Sequence, residues 1–239
     1  MKVFIDTPEN LAKLAARRYE ELLTKNPATV LGYATGSTPI GLYQELIRLN
    51  KAGRISFADV TTFNLDEYVG LDGSHDQSYR YFMNENLFNH VNIRKDHTFV
   101  PSGIGDLAQA AADYEKAIAA AGGVELQLLG IGQNGHIGFN EPNTPFGSLT
   151  HEVALTENTR QANARFFASL SDVPTHAITM GIRTVMNARG VMLIALGKNK
   201  AETIRKTLCG PVTEAVPASV LQLHPNVEFY LDQEAASLL

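Results

Sequence analysis

The sequence is poor in cysteine, contains no tryptophan and has no long apolar run. Its one cysteine, Cys209, cannot form a disulfide within the chain, so a reducing compartment such as the cytoplasm is the natural setting. A bilayer crossing needs about 20 consecutive apolar residues, and no segment provides them, so we expect no membrane contact. Asp6 interrupts the first apolar run, which argues against a signal peptide.

Positive charge is also scarce, with 20 Lys and Arg against 25 Asp and Glu and a formal net charge of −5. The chain has no basic block, which argues against a nucleic-acid-binding surface. A small anionic substrate remains compatible, because it needs only local cations. At 239 residues a single domain buries roughly three quarters of its unfolded surface, so the fold requires neither a metal nor a disulfide.

Short β-branched runs alternate with longer amphipathic stretches along the chain. The predicted strands are Lys2–Ile5, Thr29–Ala34, Val60–Asn64, His97–Val100, Glu125–Ile131, Glu152–Leu155, Ala177–Gly181, Val191–Leu196 and Val227–Leu231. The predicted helices are Glu9–Leu23, Ile40–Lys51, Ser78–Asn86, Leu107–Ala121 and Lys200–Leu208. This alternation is typical of βαβ units. We predict one α/β domain over residues 1–239, with a mostly parallel sheet.

Ligands of such sheets bind beyond the carboxyl ends of the strands, so the segments that follow strands are the informative ones. The first is ATGSTPIGLYQEL, residues 34 to 46, in which Gly36 turns the chain before a helix begins. Free N–H groups there, with the hydroxyls of Thr35, Ser37 and Thr38, would form a cradle for an anion such as phosphate. The alternative is an ordinary N-cap by Ser37 or Thr38, which needs only one hydroxyl.

The second segment is TFNLDEYVG, residues 62 to 70, which places Asp66 and Glu67 just after a strand. Such a pair of acids is usually part of a surface turn. The residues around this pair are apolar, however, and indicate a partly buried rim. A desolvated carboxylate has a raised pKa and can act as a base near neutral pH.

The third segment is GIGQNGHIGFNEP, residues 130 to 142. Its first glycines satisfy G-x-G-x-x-G, but the later glycines and prolines leave no room for the helix that a dinucleotide site requires. The segment is therefore interpreted as a glycine loop that presents His136, with Asn134 and Glu141 able to orient it. An imidazole titrates close to neutral pH and suits proton transfer to a sugar oxygen.

His136 has two alternative interpretations. An isolated histidine is more often structural and bonded to a backbone carbonyl, but this one has acid–base neighbours. A metal site would use His136, Glu141 and Asp66, yet the His-x-x-x-x-Glu spacing fits no zinc helix and lacks a second nearby histidine. We therefore expect neither a metal nor a nicotinamide cofactor.

The fourth segment is LGKNKAETIRK, residues 196 to 206, in which Lys198 and Lys200 open a helix. Lysines usually favour the other end of a helix, so cations here indicate a bound anion. Solvation explains Lys198 better than Lys200. Upstream, ENTRQANARFF places Arg165 beside two phenylalanines, which suggests an arginine held over a pocket.

Together these segments resemble the glucosamine-6-phosphate deaminases, which are also called glucosamine-6-phosphate isomerases. The matching pieces run in family order from residue 34 to 226: ATGSTP, TFNLDEYVGL, LLGIGQNGHIGFNEP, NTRQANARFF, LGKNKA and SVLQLHPN. The resemblance implies a Rossmann-like three-layer α/β sandwich. It also implies conversion of glucosamine 6-phosphate to fructose 6-phosphate and ammonia, in amino sugar breakdown and without a cofactor.

The resemblance also implies a role for each matching residue. Asp66 would remove the proton from C2 and return it at C1. His136, supported by Glu141 and Asn134, would open the pyranose ring. The residues implied to hold the phosphate are Thr35, Gly36, Ser37, Thr38, Arg165 and Lys200.

Two departures separate this chain from longer family members. They carry aspartate at the position of Asn134, and an amide cannot stabilise an imidazolium as a charge. They also have a C-terminal extension and basic residues after the NEP segment, which bind an allosteric N-acetyl sugar phosphate. This chain has neither feature, so we expect no such activation and a monomer or small homo-oligomer.

Two rival functions are compatible with parts of this pattern. A sugar-phosphate lactonase of related fold would hydrolyse an ester-like bond and would need no base at C2. A non-catalytic sugar-phosphate sensor would carry a helix-turn-helix module, for which the sequence leaves no room before a first strand at Lys2.

Overall fold

In the computed structural model, which describes residues 1–164, 167 and 169–239, the chain folds around a sheet of seven strands. Every neighbouring pair in this sheet is parallel. Its strands are β1 (Lys2–Ile5), β2 (Val30–Tyr33), β3 (Thr61–Asn64), β5 (Thr98–Phe99), β6 (Leu126–Leu129), β9 (Val191–Ala195) and β10 (Val227–Leu231). A smaller antiparallel sheet contains β4 (Asp66–Tyr68), β7 (His151–Ala154) and β8 (His176–Thr179). The α/β fold with a mostly parallel sheet is thereby confirmed.

Helices connect and cover the strands. They are α1 (Pro8–Lys25), α2 (Ile40–Lys51), α3 (Tyr79–Met83), α4 (Leu107–Ala120), α5 (Glu157–Asn163), α6 (Ile182–Met186) and α7 (Ala201–Cys209). Asp106 is the N-cap of α4, and its side chain accepts a hydrogen bond from the backbone N–H of Gln109. Among the described residues, no helix combines the length and the apolar character needed to cross a bilayer.

The order of the strands determines where a ligand site can form. The parallel sheet runs β1-β10-β9-β6-β2-β3-β5. From the centre of the sheet, β2, β3 and β5 follow one another towards one edge, and β6, β9 and β10 follow one another towards the other edge. The carboxyl ends of β2 and β6 therefore lie side by side where the strand order reverses, the place at which doubly wound sheets bind ligands. The segment with Thr35, Ser37 and Thr38 follows β2, and the glycine loop with His136 follows β6. The fold therefore brings these two segments together.

The smaller sheet was only partly predicted. Residues 66–68 were interpreted as a segment beyond a strand, whereas they form β4, which pairs with β8 in the register Asp66↔Thr179. A strand of three residues carries too little periodicity to be detected, and its partner lies more than 100 residues further along the chain. The predicted helix Ser78–Asn86 also differs, because α3 ends at Met83 and a π-helical turn, Asn84–Phe88, continues it.

Candidate active site

The loop after β2 leads into the N-terminus of α2 and leaves its hydroxyl groups unused by the helix. Gly36 has a φ of 91°, in the left-handed region that favours glycine. Pro39 occupies the N-cap position, and no side chain of the described residues caps α2 there, so the alternative interpretation of Ser37 or Thr38 as a cap is wrong. Ser37 is exposed and Thr38 is half-buried. The N–H groups and hydroxyls of this loop can therefore bind an anion.

The loop after β6 is a tight turn rather than the start of a helix, which contradicts a dinucleotide-binding motif. Gly132 N–H donates to the carbonyl of His136 at 2.9 Å, and Gly135 N–H donates to the carbonyl of Gly132 at 3.0 Å. The imidazole of His136 folds back over Gly132: a Cβ at that position would lie 2.4 Å from the ring Nε2. Glycine is required at position 132 because any side chain would displace the histidine.

His136 belongs to a network centred on the buried carboxylate of Glu141. The imidazole Nδ1 lies 3.6 Å from Glu141 Oε2, and Asn134 Nδ2 donates to the same oxygen at 2.5 Å. Asn134 Oδ1 in turn accepts from the backbone N–H of His136 at 3.2 Å. The second oxygen, Glu141 Oε1, accepts from Thr159 Oγ1 at 2.5 Å and from Thr156 Oγ1 at 3.3 Å. The network fixes the carboxylate of Glu141 beside the ring of His136.

Glu141 supplies the negative charge that Asn134 cannot. Burial would raise the pKa of Glu141, but the His136 imidazole beside it and hydrogen bonds from Thr159 and Asn134 outweigh this effect and lower the pKa to about 2. The carboxylate is therefore ionised at neutral pH and faces the imidazole, where it can stabilise an imidazolium. Sequence reasoning missed Thr156 and Thr159, because the only signal was the ordinary N-cap of α5 by Thr156.

Asp66, the first residue of β4, lies beside the loop that follows β6. Its residue exposure is 7%, and it lies opposite Thr179 in the smaller sheet. A Cβ on Gly138 would stand 3.6 Å from Asp66 Oδ2 and 2.8 Å from Thr179 Oγ1, so the backbone of the histidine loop passes close to the carboxylate. Burial, together with the neighbouring charge of Glu67, raises the pKa of Asp66 to about 8. The ionised form of this carboxyl, which becomes populated as pH approaches 8, can remove a weakly acidic proton.

Glu67, the other half of the acid pair, has a structural role. Its carboxylate accepts from the backbone N–H groups of Tyr68 and Tyr79 at 2.9 Å each and of Arg80 at 3.0 Å. Two of these donors belong to the first turn of α3, whose positive end favours an anion. Neither acid lies in an exposed turn, since both are buried. Adjacent residues of a strand point to opposite faces, which explains why the two acids differ.

We expect Glu67→Ala to lower the free energy of unfolding by about 2–3 kcal/mol, because buried N–H donors lose their acceptor. Urea denaturation measures the loss. The matched control is Glu21→Ala, at an exposed position of α1, which should change stability little. A loss for Glu67→Ala no larger than that of the control would contradict the structural role.

The raised pKa of Asp66 also predicts a pH-dependent stability. Unfolding lowers that pKa from about 8 towards the unperturbed value of about 3.9, so between these values the folded chain holds a proton that the unfolded chain has released. The contribution of Asp66 to the free energy of unfolding therefore falls as pH rises from about 4 to about 8. We expect Asp66→Asn to raise Tm at pH 8, by about 2–4 °C for each kcal/mol removed, and to have little effect at pH 4.

Thermal denaturation at both pH values tests this expectation, with Asp59→Asn as the control because Asp59 is exposed. An Asp66→Asn effect of equal size at pH 4 and pH 8 would show that the carboxyl does not titrate in this window.

The structure separates the two lysines that follow β9. Lys200 Nζ donates to the carbonyl of Ile131 at 2.6 Å, which brings this amine to the loop after β6. Thr203 of α7 donates to the carbonyl of Gln133 in the same loop. Lys198 is exposed. Lys200 is therefore the lysine that the fold places beside the strand-order reversal.

Two arginines, Arg160 and Arg165, precede β8, and the structure describes the side-chain contacts of Arg160 alone. Arg165, predicted to contact phosphate, lies outside the described residues. Arg160 donates to the carbonyls of Leu170 and Val173 and thus holds the segment that leads into β8. Among the described residues, no group of three or more His, Cys, Asp or Glu side chains is arranged to hold a metal ion.

Comparisons with known proteins identify the family of the chain. The family model of glucosamine-6-phosphate isomerases/6-phosphogluconolactonases matches residues 6–229. The chain is 52% identical over 241 residues to a glucosamine-6-phosphate deaminase of Thermoanaerobacter pseudethanolicus, covering 100% of this chain and 95% of that protein. It is 51% identical over 241 residues to a glucosamine-6-phosphate deaminase of Halothermothrix orenii, covering 100% of both.

Solved structures extend the comparison to the fold. A monomeric glucosamine-6-phosphate deaminase superposes with a TM-score of 0.97 at 47% identity, covering 100% of both chains. A 6-phosphogluconolactonase from Trypanosoma cruzi superposes with a TM-score of 0.78 at 21% identity, covering 100% of this chain and 96% of that one. The second likeness, at this low identity, concerns the fold alone.

Proposed function

The chain belongs to the family of glucosamine-6-phosphate isomerases and 6-phosphogluconolactonases, and we propose that it converts glucosamine 6-phosphate to fructose 6-phosphate and ammonia. Full-length identity of about half to named deaminases supports this member of the family. The observation that carries the mechanism is the buried carboxylate of Asp66 beside the loop of His136.

The substrate phosphate binds at the N-terminus of α2. The backbone N–H groups and hydroxyls of Thr35, Ser37 and Thr38 surround it, and Gly36 allows the turn that exposes those groups. Lys200 adds a cation from the neighbouring loop. Phosphate binding remote from C2 supplies energy that positions the reacting carbon.

His136 opens the pyranose ring. Ring opening breaks the bond between C1 and the ring oxygen, so that oxygen gains a proton while the C1 hydroxyl loses one. An imidazole that gives and takes protons near neutral pH can transfer both. The carboxylate of Glu141 stabilises the protonated imidazole of His136, since hydrogen bonds keep this carboxylate ionised. Asn134 and Thr159 fix the carboxylate in place.

Asp66 then catalyses the isomerisation. Its carboxylate removes the proton from C2, which is acidified by the adjacent aldehyde, and the resulting enolamine accepts that proton at C1. The product is an imine at C2. Water adds to this imine and ammonia leaves, which yields the ketone of fructose 6-phosphate. The desolvated environment that raises the pKa of Asp66 strengthens it as a base.

The enzyme acts as a cytoplasmic monomer, without metal or cofactor. The monomeric state is supported by the relative of known structure that is itself a monomer and is 47% identical to this chain. Sedimentation equilibrium tests it: a single species of 26.0 kDa is expected, and a stable larger species would contradict the proposal.

The proposed reaction is tested by incubating the protein with glucosamine 6-phosphate in deuterated water. We expect ammonia and fructose 6-phosphate labelled with deuterium at C1, to the extent that the proton on Asp66 exchanges with solvent before it is returned. Galactosamine 6-phosphate, tested in parallel, shows which configuration of the C4 hydroxyl the enzyme prefers. Absence of ammonia with both substrates would contradict the function. Hydrolysis of 6-phosphogluconolactone instead would assign the chain to the other branch of its family.

A further inference from the structure

A second polar pocket lies outside the proposed active site, between α3, the π-helical turn and the edge strand β5. Its volume is about 380 Å³, and it is lined by Arg80, Asn84, Asn89, Lys95 and Thr98. The lining thus contains two cations, two amides and a hydroxyl. No carboxylate is among these lining residues. A pocket with this composition offers hydrogen-bond donors and positive charge to a ligand.

Both cations are held in the pocket by neutral acceptors. The Arg80 guanidinium donates to Thr98 Oγ1 and to the Thr98 carbonyl, each at 2.7 Å. Lys95 Nζ donates to Asn89 Oδ1 at 2.6 Å and lies 5.8 Å from the centre of the Phe88 ring. A guanidinium has five N–H donors and an ammonium three, so within the described structure both retain donors for a ligand.

The two positive charges also act on each other. Partial burial of its amine and the charge of Arg80 lower the pKa of Lys95, while the carboxylate of Glu85 opposes this effect. Burial likewise lowers the pKa of Arg80. A bound anion would compensate both charges, and a guanidinium matches the oxygens of a tetrahedral oxyanion in a bidentate geometry.

The backbone around the pocket is unusual as well. Asn84 begins the π-helical turn and Asn89 is its C-cap, so this turn places both amides at the pocket. Single π-helical turns are rare and occur frequently at functional sites. The same segment adjoins the proposed base, because the backbone N–H of Arg80 donates to Glu67, the residue after Asp66.

We propose that this pocket is a second anion site, which binds a phosphate-class oxyanion, either free phosphate or the phosphoryl group of a small metabolite. It differs from the cradle at α2 in its residues and its position in the chain. The ligand contacts are the guanidinium of Arg80, the ammonium of Lys95 and the amide of Asn84.

Backbone amide NMR titration of the full chain tests the proposal. Inorganic phosphate and glycerol 3-phosphate are titrated separately at constant ionic strength, with sodium chloride as the reference anion. We expect saturable shifts around Arg80, Asn84 and Lys95, distinct from any shifts at the α2 cradle. Tighter binding of the ester would identify a metabolite phosphoryl group as the ligand, and tighter binding of inorganic phosphate would identify the free ion.

Variants separate this site from the cradle. Lys95→Gln, at an exposed position, should weaken binding at the pocket about tenfold and leave the cradle shifts unchanged. Arg80→Gln should have at least the same effect. The control is Arg94→Gln, which removes an adjacent exposed cation that pairs with Asp96. This control should bind phosphate like the unaltered protein.

Three results would overturn the second site: no saturable shift at the pocket amides, equal shifts with chloride, or unchanged binding in Lys95→Gln. Binding at the α2 cradle and binding at the pocket are measured from the shifts of different backbone amides. Absence of binding at the pocket would therefore leave the proposed function untouched.

Discussion

Asp66→Asn is expected to lower kcat for glucosamine 6-phosphate by about 10³–10⁴-fold, with KM nearly unchanged. The substitution preserves shape and removes the group that we propose takes the C2 proton, and general bases contribute up to about 10⁴-fold. KM should change little because the proposed phosphate site lies elsewhere, at the N-terminus of α2. A loss confined to kcat identifies an interaction made in the transition state.

Steady-state ammonia release measures this effect. Asp59→Asn is the matched control, since it makes the same chemical change at an exposed site. Deuterium incorporation at C1 should fall in parallel with ammonia release. Activity of Asp66→Asn within tenfold of the unaltered enzyme would show that another group removes the proton.

His136→Gln is expected to lower kcat by about 10²–10³-fold, because the pyranose ring oxygen loses its proposed proton donor. The open-chain amino alditol 6-phosphate has no ring to open. Its binding to the variant should therefore stay within about threefold of normal, since phosphate and C2 contacts remain. A loss of kcat on the ring-form substrate without a loss of alditol binding distinguishes a role in ring opening from a general structural role.

Ammonia release and inhibition by the alditol provide the two readouts. His75→Gln is the control, because His75 is exposed in the loop before α3. If alditol binding fell as strongly as kcat, His136 would be needed for the shape of the site rather than for proton transfer.

The parts of the site that the sequence predicts are those encoded locally. Gly36 and the hydroxyls around it form a recognisable turn before a helix, and the glycines around His136 exclude a helix there. The sheet order then brings these loops together, as the alternation of strands and helices predicts. Local pattern was sufficient because each feature depends on a few consecutive residues.

The parts that remained unpredicted depend on contacts between distant segments. Thr159 is an ordinary helix residue in the sequence, and only folding places its hydroxyl on Glu141, 18 residues away. The different environments of Asp66 and Glu67 arise from the pairing of β4 with β8, a strand that lies far along the chain. Both acids carry the same functional group, so residue type alone does not tell a base from a helix-capping carboxylate.

The central claim is that the phosphate cradle directs C2 of the substrate towards residue 66. A crystal structure of Asp66→Asn soaked with glucosamine 6-phosphate tests it most directly, since the variant should bind substrate without consuming it. We predict the phosphate at the N-terminus of α2 and C2 within about 3.5 Å of the residue 66 side chain, as proton transfer requires. A substrate whose C2 faced away from residue 66 while its phosphate occupied the cradle would contradict the account.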